Sequence, residues 1–332
     1  MNDRVMKSYR FREEREGDWE RLDLIVTRAE KRGVKALSDE DMTALPRLYR
    51  QAVSSLSMAR SISLDQNVLA YLETLCARAY FFVYGTRASM GQRIAQYFRR
   101  DWPDAVQGAL RPTLLAALCL FGGGLLAFFL CLQDMEWYWT FHQGWDPRNP
   151  DASYDSLRDT LYTEETNIAD MLAAFAAQLF SHNSGIAIFA FALGFCFGIP
   201  TAVLLVYNGV YLGSFFAVFW QKGLGAELTG WLFIHGVTEL FAIVLAGAAG
   251  FMIGGAVAFP GTKSRMQSMK EAGHSAALVI IGAVIMLFVA ALLEGFGRQM
   301  INADMTRYVI AIGSLLFWLV YFYWPRGQRE AA

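Results

Sequence analysis

Residues 231–259 read WLFIHGVTELFAIVLAGAAGFMIGGAVAF, a run long enough to cross a membrane. A helix needs about 20 mostly apolar residues to span the roughly 30 Å hydrocarbon core of a bilayer. Only His235, Thr238 and Glu239 interrupt the apolar and small residues of this run. The run therefore predicts a transmembrane helix, and with it an integral membrane protein.

Further apolar runs predict more transmembrane segments. They cover residues 112–131, 186–207, 276–293 and 308–324. A sixth run, 209–220, is apolar but short, so a full crossing and a re-entrant or broken helix are both open. We expect an all-α, polytopic helical membrane protein with about six transmembrane segments, all within a domain over residues 111–325.

The first 86 residues have a different character. Apolar residues recur there three or four positions apart, as in Trp19, Leu22, Ile25 and Val26, which is typical of amphipathic helices. The N-terminal residues MNDRVMKSYRFREERE contain no apolar signal segment. We predict a cytosolic helical bundle over residues 1–86.

Residues 87–110 link the bundle to the first apolar run. One side of a helix here would carry Phe98 and Trp102, and the other side Arg93, Arg99 and Arg100. Such a helix can lie in the membrane interface and contact lipid headgroups, although a fourth bundle helix is the alternative. Its basic residues suit anionic lipid better than nucleic acid.

Charge also predicts the orientation. Residues 133–185 hold nine acidic residues but only two basic ones, whereas residues 87–111 hold five arginines. Because cytoplasmic loops are enriched in Lys and Arg, both termini should be cytoplasmic and the loop at 133–185 extracytoplasmic. Within that loop, apolar residues at helical spacing over 155–182 predict an amphipathic helix that lies on the outer membrane face or against the transmembrane segments. The other basic residues behind this orientation are Lys263, Arg265, Lys270, Arg326 and Arg329.

Four ionisable or amide residues fall within the apolar region. His235 and Glu239 are four residues apart, so they share one helix face. Asn208 lies at an expected turn with Gly209, and Glu294 ends the fifth apolar run. Ionisable groups inside a membrane are costly, so these residues predict either a buried structural cluster or a path for protons or substrate.

No motif points to a cofactor or an enzyme. Zinc needs three or four ligands, and the spacing of His235 and Glu239 supplies only two, so no metal site is predicted. No phosphate-binding loop, dinucleotide fingerprint or nucleophile elbow occurs. The cysteines have no paired spacing, so neither disulfides nor a metal cluster is expected. These cysteines are Cys76, Cys119, Cys131 and Cys196.

Glycines recur at spacings that let helices approach closely in lipid. Such packing occurs within one chain or between copies, and a homodimer is our hypothesis for the second case. The glycines concerned are Gly194, Gly198, Gly209, Gly213, Gly247, Gly250 and Gly254.

An ordered set of motifs resembles the stage II sporulation protein M-like family, in its long, non-sporulation branch. The membrane half carries Asn208-Gly209 with Gly213, His235-Gly236 with Glu239-Leu240, Gly247 and Gly250, Pro260-Gly261, and Glu294-Gly295-Phe296. The N-terminal half carries Arg15-Glu16, Trp19, Arg21-Leu22 and Leu48-Tyr49-Arg50. The matches span about residues 9–297.

The resemblance implies a location and partners. It implies the bacterial cytoplasmic membrane, with a MoxR-type AAA ATPase and von Willebrand A-like proteins as partners. The sporulation member is similar only in its membrane half, so its scaffold role in peptidoglycan remodelling is not carried over.

Two functions follow as hypotheses. The first is a non-enzymatic scaffold that oligomerises and recruits partner proteins in cell-envelope or membrane remodelling. The alternative is a transporter, channel or lipid-moving protein, in which Asn208, His235 and Glu239 line an intramembrane path.

Overall fold

The computed structural model describes residues 11–33, 36–61, 66–84, 90–142, 144, 146–162, 169–297 and 301–324. Across these residues the chain is helical and contains no β-strand, which confirms the all-α prediction. The chain divides into two compact units, Met1–Arg93 and Ile94–Ala332. The C-terminal arginines at positions 326 and 329 lie outside the described residues.

Three helices form the first unit: α1 (Glu16–Arg32), α2 (Asp39–Ser61) and α3 (Gln66–Val83). Each helix buries an apolar stripe against the other two, including Trp19, Leu48 and Leu72. The hydroxyl of Ser38 caps α2 by accepting a hydrogen bond from the Asp41 N–H at 3.1 Å. Amphipathic spacing and local capping together account for the bundle.

A polar link between α1 and α3 centres on Arg78. Its guanidinium donates to both carboxylate oxygens of Glu30 at 2.9 and 2.7 Å, to Asp23 at 2.6 Å and to Thr27 at 2.9 Å. The hydrogen bonds from Arg78 hold the pKa of Glu30 below its usual value. The link fixes which faces of α1 and α3 meet, because a guanidinium presents its donors in a rigid fork.

Residues 90–108 continue as α4 (Met90–Gln96), a π-helical turn (Tyr97–Asp101) and α5 (Trp102–Gly108). Arg93, Arg99 and Arg100 are exposed and Phe98 is half-buried, so their place at a membrane interface stays a prediction. For Trp102, the prediction of a position at the membrane interface is wrong. Its indole is 2% exposed and fills the space beside Gly282, where a side chain would clash.

Among the described residues, six helices are long and apolar enough to cross a membrane, as predicted. They are α6 (Leu110–Gln133), α9 (Ala169–Ala192), α10 (Ile199–Gln221), α11 (Gly225–Ala258), α12 (Arg265–Leu292) and α13 (Asp304–Tyr323). Two short helices, α7 (Glu136–Phe141) and α8 (Tyr154–Leu161), lie between α6 and α9. Helix α11 is central, since it packs against the other five long helices.

The second and third segments were predicted with wrong boundaries. The chain turns at residues 193–198, where Phe197 and Gly198 have φ of 60° and 76°, so residues 186–207 do not form one helix. Pro200, which is suited to a first helical turn, then opens α10. Residues 209–220 are consequently the second half of a full-length helix, neither re-entrant nor broken.

The same correction applies to the single helix expected over 155–182, on the outer membrane face or against the transmembrane segments. That region holds α8 and the first half of α9, and α9 continues into the second candidate span, Ala176–Phe195. Apolar residues continue on both sides of the true turn, so hydropathy placed the predicted segment 186–207 across the turn, about ten residues too late. The predicted side chains Ile168, Leu172 and Phe175 lie outside those described.

The predicted glycines pack helices together within the chain. Gly209 and Gly213 of α10 face the backbone of α6, where a Cβ would overlap the carbonyl oxygens of Leu120 and Gly124. Such approaches need a hydrogen in place of a side chain. A second close contact joins the turn after α9 to α11 through two pairs of glycines. It is formed by Gly194 and Gly198 against Gly250 and Gly254.

Candidate intramembrane polar site

Helices α11 and α12 bring three ionisable side chains together. His235 and Glu239 lie one turn apart on the same face of α11. Glu294 comes from a π-helical turn, Leu293–Gly297, that directly extends α12. Single π-helical turns inside α-helices occur frequently at functional sites. The site is thus built by two neighbouring membrane helices.

The three side chains are close and largely shielded. His235 is 3% exposed and Glu294 is 7% exposed, whereas Glu239 is half-buried. The Nε2 atom of His235 lies 3.6 Å from a carboxylate oxygen of Glu294. One ligand-type atom from each of the three residues lies within 4.8 Å of the other two.

This arrangement concentrates acceptors for positive charge. Two carboxylates at such a separation in a shielded place repel each other unless a proton or a cation compensates them. The imidazole can donate or accept a hydrogen bond according to its tautomer. Chemically, the site can hold a proton or coordinate a cation.

The surroundings are less polar than the site. Thr238, one residue before Glu239, accepts a hydrogen bond from the Trp318 indole at 3.0 Å, which pins α13 to α11. From Leu240 to Ala258 every residue of α11 is apolar or glycine. The polar site therefore belongs to the first half of α11, and the second half is an apolar packing helix.

Asn208 was predicted in the same cluster and at a turn with Gly209. It lies within α10, not at a turn, and is half-buried. Its amide donates to the carbonyl oxygen of Leu204, one turn back in the same helix, at 2.8 Å. This bond lies within α10, and we therefore assign the site to the three ionisable residues that the structure brings together, His235, Glu239 and Glu294.

A buried arginine at the start of α13 was missed from the sequence. Arg307 is fully buried and donates to the carbonyl oxygens of Ile301 at 2.7 Å and Leu161 at 2.8 Å. Its guanidinium also lies 5.1 Å from the ring centre of Tyr162. These contacts of Arg307 connect the end of α8 to the start of α13. The sequence feature that could have identified Arg307 is the presence of a charged residue next to a predicted apolar run.

A second buried histidine lies between α7 and α10. The ring of His142 stacks on Tyr138 with centroids 4.0 Å apart and lies 4.2 Å from the ring of Tyr211. Its Nδ1 lies 3.3 Å from the Tyr138 carbonyl oxygen. Burial lowers the pKa of His142, against smaller raising effects of that carbonyl and of Asp146.

The lowered pKa predicts an acid-sensitive contact. Folding favours neutral His142, so its contribution to stability is complete above the unfolded pKa of about 6.5 and declines as pH falls below it. Between about pH 7.5 and 5.5, amide hydrogen exchange in residues 136–142, corrected for intrinsic rates, should accelerate severalfold. The change His142→Gln should abolish this pH dependence. The exposed-site control His182→Gln should keep it, and equal pH dependence in both variants would contradict the assignment.

Together these features define a class of protein: a polytopic, all-helical membrane protein with an N-terminal helical unit and an intramembrane polar site. The family model described as Stage II sporulation protein M matches residues 113–297, and the chain belongs to this family. Residues 9–85 match a second model, described as a domain of unknown function (DUF8413). Searches of curated proteins and of solved structures found no match. The resemblance stated from the motifs is thereby confirmed, and all three site residues lie within the matched range.

Proposed function

We propose that this chain is a non-enzymatic membrane transport protein that moves a cation through the site formed by His235, Glu239 and Glu294. The observation that carries the proposal is the close approach of one imidazole and two carboxylates on membrane helices. Placing ionisable groups in a membrane costs several kcal/mol, and such residues usually mark ion or proton pathways.

The position of the site favours a transporter over an open channel. Glu294 lies just beyond the end of α12, and Glu239 is half-buried, so access is shortest from that side of the membrane. Towards the other side, α11 is apolar and its Gly250 and Gly254 are packed against backbone. An intramembrane site closed on one side is what alternating access requires.

Cation flux into proteoliposomes tests the proposal. We expect the full chain to conduct protons or a metal cation, and His235→Gln or Glu294→Gln to lower the flux by at least about tenfold. The matched controls are His182→Gln and Glu271→Gln, at exposed positions. Unaltered flux in either folded site variant, or equal loss in the controls, would exclude transport through this site.

The orientation belongs to the same proposal. Six crossings return the chain to its starting side, and Lys263 and Arg265 follow α11, so we place both termini in the cytoplasm of a bacterium. In a cysteine-free background, an impermeant maleimide should label Asp151→Cys in intact cells and leave Lys263→Cys unlabelled. The reverse pattern would invert the orientation.

Recruitment of partner proteins by the first unit is a second candidate function. Tyr80, Phe81 and Tyr84 at the end of α3 are 51%, 71% and 59% exposed, and Tyr49 of α2 packs against Tyr84 with ring centres 5.7 Å apart. Exposed aromatic groups of this kind mark protein or membrane contact sites. A MoxR-type AAA ATPase and von Willebrand A-like proteins are the partners we propose.

Binding of these purified partners tests the second candidate. Phe81→Ser should weaken it by at least about tenfold, because exposed aromatic side chains dominate binding energy at interfaces. Met58→Ser, at an exposed apolar position on α2, should leave it unchanged. Equal effects of the two changes on binding would show that Tyr80, Phe81 and Tyr84 do not form the docking site. Light scattering in detergent would test the homodimer that we include in this candidate.

A further inference from the structure

We infer that His235, Glu239 and Glu294 form a three-ligand site for a divalent transition metal ion of the zinc class. The inference rests on the same site as the proposed transport function. It names the chemical class of the cation, and it concerns binding, which is measured without flux.

The donor set selects this class of ion. Imidazole nitrogen suits zinc, copper, iron and nickel, whereas magnesium and calcium prefer sites made of oxygen alone. Carboxylate oxygen is also a regular zinc ligand. One imidazole with two carboxylates therefore favours a transition metal over the abundant hard cations.

The geometry is close to that of a formed site. Tetrahedral zinc with ligands at about 2.0–2.2 Å places its ligand atoms roughly 3.3–3.6 Å from one another. The Nε2 atom of His235 and the Glu294 oxygen are already 3.6 Å apart. The outer limit of 4.8 Å among the three atoms closes by rotation of the carboxylate side chains. Small side-chain adjustments would bring the three protein ligands to these distances.

The backbone holds these ligands in place. His235 and Glu239 have the four-residue spacing that puts two side chains on one helix face. Glu294 is aimed from the π-helical turn at the end of α12, and α11 and α12 pack along their lengths. Ligands on rigid, packed helices lose little conformational entropy when a metal binds.

Charge balance also favours a divalent ion at this site. A divalent ion compensates both carboxylates, in a place where an unpaired charge is costly. Three protein ligands leave a fourth position for water or another donor, as in open zinc sites and unlike closed structural ones. An exchangeable position is what an ion that must enter and leave requires.

Zinc binding to the purified, untagged full chain tests the inference. Equilibrium dialysis should give one Zn²⁺ per chain, retained against excess Mg²⁺ and Ca²⁺. Because loss of second-shell partners alone costs about 10–100-fold in metal affinity, His235→Gln and Glu294→Gln should each weaken binding at least tenfold. The exposed histidine variants His182→Gln and His274→Gln should bind as the unsubstituted chain does.

X-ray absorption of the zinc-loaded chain keeps the test decisive if a variant fails to fold. We expect one imidazole nitrogen and carboxylate oxygens at about 2.0–2.2 Å. A shell that contains sulfur or lacks imidazole, or no bound zinc, overturns the inference, as does unchanged affinity in folded His235→Gln. Zinc binding without flux of any cation would overturn transport alone, and proton flux without zinc binding would overturn the metal site alone.

Discussion

Gly213→Ala is expected to destabilise the transmembrane unit by about 3 kcal/mol or more, a large effect for the addition of a single methyl group. The added Cβ would overlap the carbonyl oxygen of Gly124 on α6. Relief requires α6 and α10 to move apart along a shared interface, because backbone on each side leaves no flexible side chain to yield.

Thermal unfolding in detergent measures this effect. For a unit of this size, 3 kcal/mol corresponds to a melting temperature lower by roughly 6–12 °C. Gly122→Ala on α6 is the matched control, because its Cβ would meet only the Leu118 side chain, at 3.8 Å. The control should be neutral or stabilising by up to about 1 kcal/mol, since alanine favours helix. Equal melting temperatures for the two variants would contradict the packing of α6 against α10.

Arg307→Leu is expected to cost about 2–4 kcal/mol and to release the end of α8 from α13. The change leaves the carbonyl oxygens of Leu161 and Ile301 without the donor that now satisfies them. Leucine fills part of the volume but offers no hydrogen bond. Hydrogen exchange in residues 154–162 should therefore accelerate by about tenfold or more.

Arg158→Leu is the control for Arg307. Arg158 also lies over the Tyr162 ring, at 5.5 Å, but it is exposed. Its loss should change exchange in this loop by less than about twofold, because exposed cation–π contacts contribute little. Comparable acceleration in both variants would show that the ring contact, and not the buried hydrogen bonds, holds the loop.

Much of the fold follows from the sequence. Apolar length predicted six crossings because a bilayer penalises polar backbone and side chains over a fixed thickness. Hydropathy did not place the turn at residues 193–198, because Phe195, Phe197 and Ile199 keep the run apolar. The local signal was Gly198 followed by Pro200, a left-handed residue before a helix start.

Part of the polar site could also be predicted from the sequence. Helical periodicity pairs His235 with Glu239, and the cost of ionisable groups in lipid singles out Glu294. Whether Glu294 reaches them depends on how α12 packs on α11, which no local pattern encodes. Asn208 was included as a polar residue at membrane depth and was expected at a turn, but the structure places it within α10.

The packing glycines were identifiable by spacing alone, but their partners were not. A GxxxG spacing serves contacts within a chain and between chains equally. Gly209 and Gly213 fit against α6 of the same chain, and Gly194 and Gly198 fit against α11. The glycine spacing is therefore accounted for within one copy and no longer supports the homodimer, which stays a proposal for light scattering to test.

A double-variant cycle on cation flux tests most directly whether His235 and Glu294 act as one site. Flux is measured in proteoliposomes for His235→Gln, Glu294→Gln and the double variant, each checked for monodisperse, folded protein. Residues that act as a unit give non-additive losses, so the double variant should be no slower than the worse single variant. Multiplication of the two losses, or unchanged flux in either folded single variant, would contradict a single intramembrane cation site.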